Sequence, residues 1–299
     1  MAKLAAAFVS ATFILWAAAP LRGQVELITR VAPDQVSDTA EGSGTPSILP
    51  PPFLTSLSAD GRYVAFISPA TNLVPGQDDR NGTLDAFLRD RVTAATLLVS
   101  RSAASATTAA NLGAAAVAVS PDGRYVAWSG QPTDVVAGQP GGFDPPSNVF
   151  LFDRVTGTNR LLGPGSVPVT FSRDGRFLLF LGDLGGGAYL YDLTAKALSK
   201  ISATATGVGQ PVQAMSRDGR YAVFVSAPLG TPHLQVFDRI TGTTEEAGIG
   251  YLPAISADGR YVAFLSAADN LVPGQVDTNS GSDAFLYDRV SRTTVLVSH

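Results

Sequence analysis

Two stretches of this chain place polar, oxygen-bearing side chains at alternate positions. The patterns are Asp79-x-Asn81-x-Thr83-x-Asp85 and Asp277-x-Asn279-x-Gly281-x-Asp283. Alternating carboxylates and amides can surround a hard cation such as Ca²⁺, which takes about six to eight oxygen ligands. The spacing resembles the start of an EF-hand loop, although the distal glutamate of that motif is missing. We therefore predict a Ca²⁺ site whose candidate ligands are Asp79, Asn81, Asp85, Asp277, Asn279 and Asp283.

The alternative interpretation of these residues is purely conformational. Asp and Asn side chains also bond to nearby backbone amides and so form Asx turns in polar loops. Both stretches follow the same hexapeptide, NLVPGQ, at residues 72–77 and 270–275. The two loops are therefore expected to adopt the same backbone path, whether or not they bind a metal ion.

The inventory of catalytic residues is small. The chain has no cysteine and only two histidines, His233 and His299, and it contains no G-x-S-x-G sequence. A zinc site, a histidine acid–base pair and an α/β-hydrolase nucleophile are therefore disfavoured. We predict a protein that is not an enzyme, with a lyase or glycosidase acting in a central channel as the alternative.

A repeated hexapeptide organises the rest of the sequence. The pattern S-x-D-G-R-[YF] begins at Ser58, Ser120, Ser172, Ser216 and Ser256. Each copy is followed by a short apolar run and then by a second apolar run that ends in Asp. Further short runs precede each motif and close each unit. These runs are β-branched, aromatic and too short for helices, so each unit is predicted to contain four strands.

Repeated four-stranded units predict an all-β protein with a β-propeller fold of five recognisable blades. A β-solenoid is the rival, but its repeats are shorter and do not carry four strands. Residues 25–30 (VELITR) resemble a closing strand and form one extra N-terminal strand. Five blades with an extra strand, a sixth incomplete blade and a truncated propeller all remain open.

The motif itself is interpreted as a bend. Pro121 suits the second position of a type I turn, and the following glycine supplies a positive φ. Ser and Asp can accept hydrogen bonds from turn amides, and the arginine is expected to reach a neighbouring carboxylate. The motif residues are therefore predicted to be structural, because a catalytic acid has no reason to recur in every blade.

The S-x-D-G-R-[YF] turn, followed by an apolar strand and a strand that ends in Asp-Arg, resembles the TolB-type propeller repeat, which is related to WD repeats. The resemblance covers all five units, and its motif is specific for the fold rather than for a function. It implies a periplasmic propeller that binds other envelope proteins. The amino-terminal domain of TolB proteins is expected to have no counterpart in the short stretch before the first motif.

The N-terminus indicates export. Lys3 precedes an apolar or small-residue stretch from Leu4 to Ala19, which is typical of a secretory signal peptide. We predict a signal peptide at residues 1–23 and a propeller domain at residues 24–299, with a retained N-terminal anchor as the rival. The predicted localisation is periplasmic or secreted, in a bacterium. Removal of Lys3 and Arg22 lowers the formal net charge from −4 to −6, which argues against nucleic acid as a partner.

Strand alternation assigns the motif turns and the Asp-Arg turns to one face of the propeller. The loops between second and third strands lie on the opposite face, and they are long in the first, second and fifth units. The second unit departs from the paired loops and reads GGFDPP at residues 141–146. In a closed ring these three units are adjacent, so we predict that this face binds an envelope or secreted protein, or a glycan.

Overall fold

The computed structural model describes residues 55–139, 147–182, 187–203, 214–226, 230–276 and 281–298. These residues form five antiparallel sheets of four strands each. Sheet 1 contains β1 (Thr55–Leu57), β2 (Tyr63–Ser68), β3 (Asp85–Asp90) and β4 (Ala95–Leu98). Sheet 2 contains β5 (Ala114–Val119), β6 (Tyr125–Gly130), β7 (Asn148–Asp153) and β8 (Thr158–Pro164). Sheet 3 contains β9 (Ser166–Phe171), β10 (Phe177–Leu181), β11 (Ala188–Asp192) and β12 (Ala197–Ser202).

The remaining two sheets repeat the same order of strands. Sheet 4 contains β13 (Ala214–Met215), β14 (Tyr221–Ser226), β15 (His233–Asp238) and β16 (Thr243–Ile249). Sheet 5 contains β17 (Tyr251–Ile255), β18 (Tyr261–Ser266), β19 (Asp283–Asp288) and β20 (Thr293–Leu296). The prediction of five four-stranded units is confirmed. The signal peptide at residues 1–23 and the extra strand at residues 25–30 lie outside the described residues.

Each sheet has two faces, and in sheets 2, 3 and 4 the two faces pack against different neighbouring sheets. We call the face turned toward the next sheet in the chain the forward face and the opposite one the backward face. The same names are used for the corresponding two faces of sheet 5. In sheet 1, Tyr63 and Ala65 lie on the forward face and pack with Val126 and Trp128 of sheet 2. Val64, between them, belongs to a separate cluster on the backward face. Because both faces are buried, β2 is apolar at almost every position instead of alternating.

The S-x-D-G-R turns have the same hydrogen bonds in all five sheets. In sheet 1 the Gly61 N–H donates to the Ser58 carbonyl over 2.9 Å, which closes the predicted turn. The Ser58 hydroxyl accepts the Tyr63 N–H and donates to Asp60. Gly61 has a φ of 69°, where a side chain would be strained. The interpretation of the motif as a bend is confirmed.

The motif arginines also have a structural partner in every sheet. Arg62 forms a two-pronged ion pair with Asp90, the residue that ends the third strand, with distances of 2.9 and 2.7 Å. The guanidinium holds the pKa of this carboxyl well below its usual range. The equivalent pairs are Arg124–Asp153, Arg176–Asp192, Arg220–Asp238 and Arg260–Asp288. Each pair ties the motif turn to the Asp-Arg turn, so both turns lie on one face, as predicted.

A second arginine links neighbouring sheets. Arg154, in the Asp-Arg turn of sheet 2, lies 4.4 Å from the ring centre of Tyr63 in sheet 1, and Arg62 lies 4.9 Å from it. The ring is therefore held between two cations from two sheets. Gly123 of sheet 2 also contacts this ring, because a Cβ atom there would lie 2.0 Å from it.

The circle of five sheets is not closed among the described residues. Hydrophobic clusters join sheets 1 and 2, sheets 2 and 3, sheets 3 and 4, and sheets 4 and 5. None of these clusters of described residues combines sheet 5 with sheet 1. The expected sector in which the loops of sheets 5, 1 and 2 are adjacent is therefore formed only for sheets 1 and 2.

Candidate functional site: the long loops of sheets 1, 2 and 5

A glutamine fixes the shape of the first part of each long loop. In sheet 1 the side-chain carbonyl of Gln77 accepts the N–H groups of Leu73 and Val74, while its amide donates to the Ala70 carbonyl over 3.0 Å. Gln275 makes the same three bonds in sheet 5. We call this set of side-chain hydrogen bonds the glutamine bracket of the loop. It reduces the conformational freedom of the loop before any partner binds.

Sheet 2 contains two of these three bonds, which the sequence analysis missed. Gln139 accepts the Val136 N–H and donates to the Pro132 carbonyl over 2.6 Å. The signal is present in the sequence, since residues 135–139 (VVAGQ) align with residues 73–77 (LVPGQ). The departure at residues 141–146 lies outside the described residues. All three long loops therefore begin with the same rigid turn.

The first candidate metal-binding stretch folds into a compact hydrogen-bonded loop. The Asp79 carboxylate accepts the Asn81 N–H, and the side-chain carbonyl of Asn81 accepts the Thr83 N–H over 2.7 Å. These are the Asx turns of the alternative interpretation. The Asn81 amide nitrogen points the other way and donates to Asp85 over 3.3 Å. The structure thus brings all three predicted ligands of this stretch together.

Asp85 is fully buried at the base of this loop. It begins β3, and its carboxylate accepts the Ser100 hydroxyl over 2.6 Å. The same hydroxyl accepts the Ala86 N–H, so Ser100 orients the acid from the neighbouring strand. Burial, together with the nearby Asp79 carboxyl, raises the pKa of Asp85 to about 7. A buried acid beside a second carboxylate is stabilised by a proton or by a cation.

A connecting segment packs on the loop of sheet 1 and bonds to it. Residues 101–113 run from sheet 1 to sheet 2 and cross above the candidate site. The Asp78 N–H donates to the Thr107 carbonyl over 2.9 Å, and Asn81 donates to the Ala110 carbonyl over 2.9 Å. Farther along, Asn111 bonds with Thr133 of the sheet 2 loop in both directions. This segment therefore buries Asp85 and joins the loops of sheets 1 and 2 into one surface.

The twin stretch in sheet 5 shares the anchor of the loop. Asp283 begins β19 and accepts the Ser298 hydroxyl over 2.9 Å, and Ser298 accepts the Ala284 N–H. This repeats the arrangement of Ser100 and Asp85. Asp283 is only half-buried. The other two predicted ligands, Asp277 and Asn279, lie outside the described residues.

The donor set around Asp85 partly fits a divalent cation. Two carboxylates, Asp79 and Asp85, lie close enough to share one ion, and one of them is buried. The Asn81 side chain presents its NH₂ group to Asp85, so the amide would have to rotate to become a ligand. Within the described ranges, no group of three or more His, Asp and Glu side chains is arranged around a common point. The calcium site stays a prediction.

His233 lies in a strand and not in a loop. It begins β15, and its Nδ1 lies 2.9 Å from the Glu246 carboxylate on the paired strand β16. The side chain is about a quarter exposed. The histidine is thus part of a cross-strand pair.

Comparison with known proteins supports the fold. No protein-family profile matches the chain, and no curated protein matches it. Among solved structures, an oligogalacturonate lyase in complex with manganese has 14% identity and a TM-score of 0.51, covering 82% of this chain and 64% of that one. The β-propeller domain of the trilobed protease from Pyrococcus furiosus, with an open velcro topology, has 12% identity and a TM-score of 0.50, covering 82% and 70%.

TolB from Acinetobacter baumannii is also similar, at 16% identity and a TM-score of 0.45. The match covers 81% of this chain, and the chain spans only about half (52%) of that TolB. Together with the five sheets, the lyase and the trilobed protease domain establish a β-propeller fold. Over the part of the chain that the structure describes, no helix has the length and apolar character needed to cross a bilayer.

Proposed function

We propose that this chain is an exported, non-catalytic β-propeller that binds a protein or a glycan partner in the cell envelope through its long-loop face. The observation that carries the proposal is the preformed shape of these loops. Gln77, Gln139 and Gln275 hold three loops in the same rigid turn. A surface that is ordered before binding loses less conformational entropy when a partner docks.

The surface of sheets 1 and 2 is the favoured contact area. The segment of residues 101–113 links the two loops through Asn111, Thr133 and Asp134, so their positions are coupled. The motif turns on the opposite face repeat almost unchanged in all five sheets, whereas these loops differ from the rest of the repeat. Long loops on a rigid scaffold commonly carry binding specificity.

A capture experiment with matched variants tests the proposal. The mature chain is immobilised and exposed to solubilised envelope extract and to a glycan array, each with calcium or with a chelator. We expect a partner that is retained by the wild type and lost at least tenfold by Gln77→Ala/Gln139→Ala, because both brackets are opened. The control is Val155→Thr, which changes a side chain that is 66% exposed on the opposite face.

Each other outcome has a defined meaning. Equal retention by the bracket variant, or loss in Val155→Thr, would move the partner to another surface. Conversion of a captured oligosaccharide into shorter products would establish the enzymatic alternative. An intact N-terminus at Met1 on the purified native protein, rather than one near Gln24, would contradict export by signal-peptide cleavage.

A further inference from the structure

A cavity lies between the first strands of four sheets, on the motif-turn face. Its volume is about 470 Å³, and it is lined by β1, β5, β9 and β13 at the ends that lead into the motif turns. This places it at the ends of the first strands that lead into the motif turns, away from the long loops. The volume falls in the range of small-ligand pockets, about 300 to 1,000 Å³.

The lining of this cavity combines hydroxyls with apolar surface. Thr55, Ser56 and Thr170 supply the hydroxyls, and Phe171 and Met215 supply apolar surface. The Ser56 oxygen already accepts the Val119 N–H, which leaves its O–H to donate to a ligand. Such a surface can bond to the hydroxyls of a sugar and contact the apolar face of its ring.

Two arginines occupy the same motif position, one in the lining of the cavity and the other in the adjoining turn. Arg173 lines it, and Arg217 occupies the same motif position in sheet 4, two residues after the lining Met215. The two turns are in direct contact, since the Asp174 N–H donates to the Arg217 carbonyl over 2.9 Å. The other sheets have Ala59, Pro121 and Ala257 at this position.

Both guanidinium groups are exposed, and within the described residues neither side chain forms a hydrogen bond or an ion pair. The motif arginines Arg176 and Arg220 of the same two sheets are each committed to an aspartate. The adjacent carboxylate of Asp174 is occupied by the Ser172 hydroxyl and the Arg176 N–H. Arg173 and Arg217 are therefore available to an external anion.

We propose that this cavity binds a short acidic oligosaccharide, with Arg173 and Arg217 paired to its carboxylates. Guanidinium groups recognise carboxylates through two parallel hydrogen bonds. The hydroxyl side chains and Phe171 contact the sugar ring, and this favours a uronic acid over an acidic peptide. The site lies on the face opposite the long loops, so it stands or fails independently of the function proposed for them.

Isothermal titration calorimetry on the mature chain tests this site with three probes. A uronic acid trimer carries both sugar and carboxylates, maltotriose carries sugar without charge, and a tri-glutamate peptide carries carboxylates without sugar. We expect the trimer to bind and the other two to bind at least tenfold more weakly. Raising the salt concentration should weaken binding of the trimer, because the guanidinium–carboxylate pairs are exposed.

Variants locate the site. Arg173→Gln/Arg217→Gln should weaken the trimer at least tenfold without changing the melting temperature, because neither side chain has a partner to lose. Arg292→Gln is the matched control, since it removes an exposed charge from the β19–β20 turn on the same face. It should leave trimer binding within twofold of the wild type.

The proposal is overturned by absence of binding to the wild type, by equal binding of maltotriose, or by trimer binding that survives in the double variant. Stronger binding of the glutamate peptide would also overturn it and would assign the cavity to an acidic polypeptide.

Discussion

Sheets 1 and 5 have nearly the same sequence and different surroundings. Residues 58–68 and 256–266 differ only at Ile67 and Leu265. Sheet 2 covers the forward face of sheet 1, where Ala65 is fully buried. The equivalent Ala263 in sheet 5 is exposed. The strands and turns therefore follow from local sequence, whereas burial depends on the neighbouring sheet.

The long loops show the same contrast at a polar position. Asp85 and Asp283 are each anchored by a serine hydroxyl from the closing end of the sheet. Residues 101–113 cover the loop of sheet 1, and no described segment covers Asp283 in this way. One sequence pattern thus gives a buried acid with a raised pKa in sheet 1 and a half-buried acid in sheet 5. The two sheets form a natural pair of matched controls.

The largest difference in stability loss between equivalent variants of the two sheets is expected at the leucine of the third strand. Leu88 is 1% exposed and packs on the forward face against sheet 2, while Leu286 is only half-buried. Leu88→Ala should lower the free energy of unfolding by about 3 kcal/mol, since it leaves a cavity. Leu286→Ala should cost about 1 kcal/mol, because less apolar area is removed from water at that site. Urea denaturation of both variants measures the difference.

Equal losses in the two leucine variants would contradict the comparison. They would mean that the forward face of sheet 5 is covered in solution as well as that of sheet 1. The control is Phe285→Leu beside Phe87→Leu, because both rings are fully buried on backward faces and should respond alike.

A change of pH is expected to alter the stability of the fold, and this effect ranks second in size among the predictions. The pKa of Asp85 is about 7 in the folded chain and is near 3.8 when the group is unperturbed. The folded state therefore binds a proton that the unfolded state has released, and stability falls as the pH rises from about 4 to about 7. Asp85→Asn should remove this slope and should melt above the wild type at pH 8. Thermal melts at pH 5 and pH 8 measure both effects.

Asp283→Asn is the control, because it makes the same substitution at the half-buried equivalent in sheet 5 and should leave the pH slope due to Asp85 in place. The same variants test the metal, because Ca²⁺ binds the charged carboxylate. Added calcium should raise the melting temperature of the wild type at pH 8 and raise that of Asp85→Asn by less, because only the candidate ligands of sheet 5 remain intact in this variant. If calcium has no effect on the wild type, the metal hypothesis for Asp79, Asn81 and Asp85 is wrong.

The repeat made most of the fold predictable. Five copies of one motif located the turns, and the apolar runs around them located the strands, because short β-branched runs between turn residues have few alternatives. The candidate ligands Asp79, Asn81 and Asp85 lie in one loop because they are close in sequence, and their binding of a metal ion stays a prediction.

The burial of Asp85 was not predictable in the same way. It depends on Ser100 and on residues 101–113, which lack a repeated pattern and contact the loop only through tertiary structure. The availability of Arg173 and Arg217 to a ligand was not predictable for the opposite reason. They stand at a variable position inside a motif whose repetition marked it as structural, and their lack of an ion-pair partner is visible only in three dimensions.

The smallest expected change in the free energy of unfolding comes from substitutions in the Asp-Arg turns. Equivalent substitutions in sheets 1 and 5 should have the same effect there. Ala94 and Arg292 occupy the same turn position with a φ of 57°, and sheets 2 and 4 have Gly157 and Gly242 there. An L-residue is strained in this region, so Ala94→Gly and Arg292→Gly should each raise the free energy of unfolding by about 0.5 to 1 kcal/mol. Gly242→Ala should lower it by a similar amount, because a Cβ atom there meets no neighbour within 4 Å and only the backbone strain is added. Urea denaturation measures all three changes. A gain in one sheet without the other would show that turn strain, like burial, depends on the surroundings of the sheet.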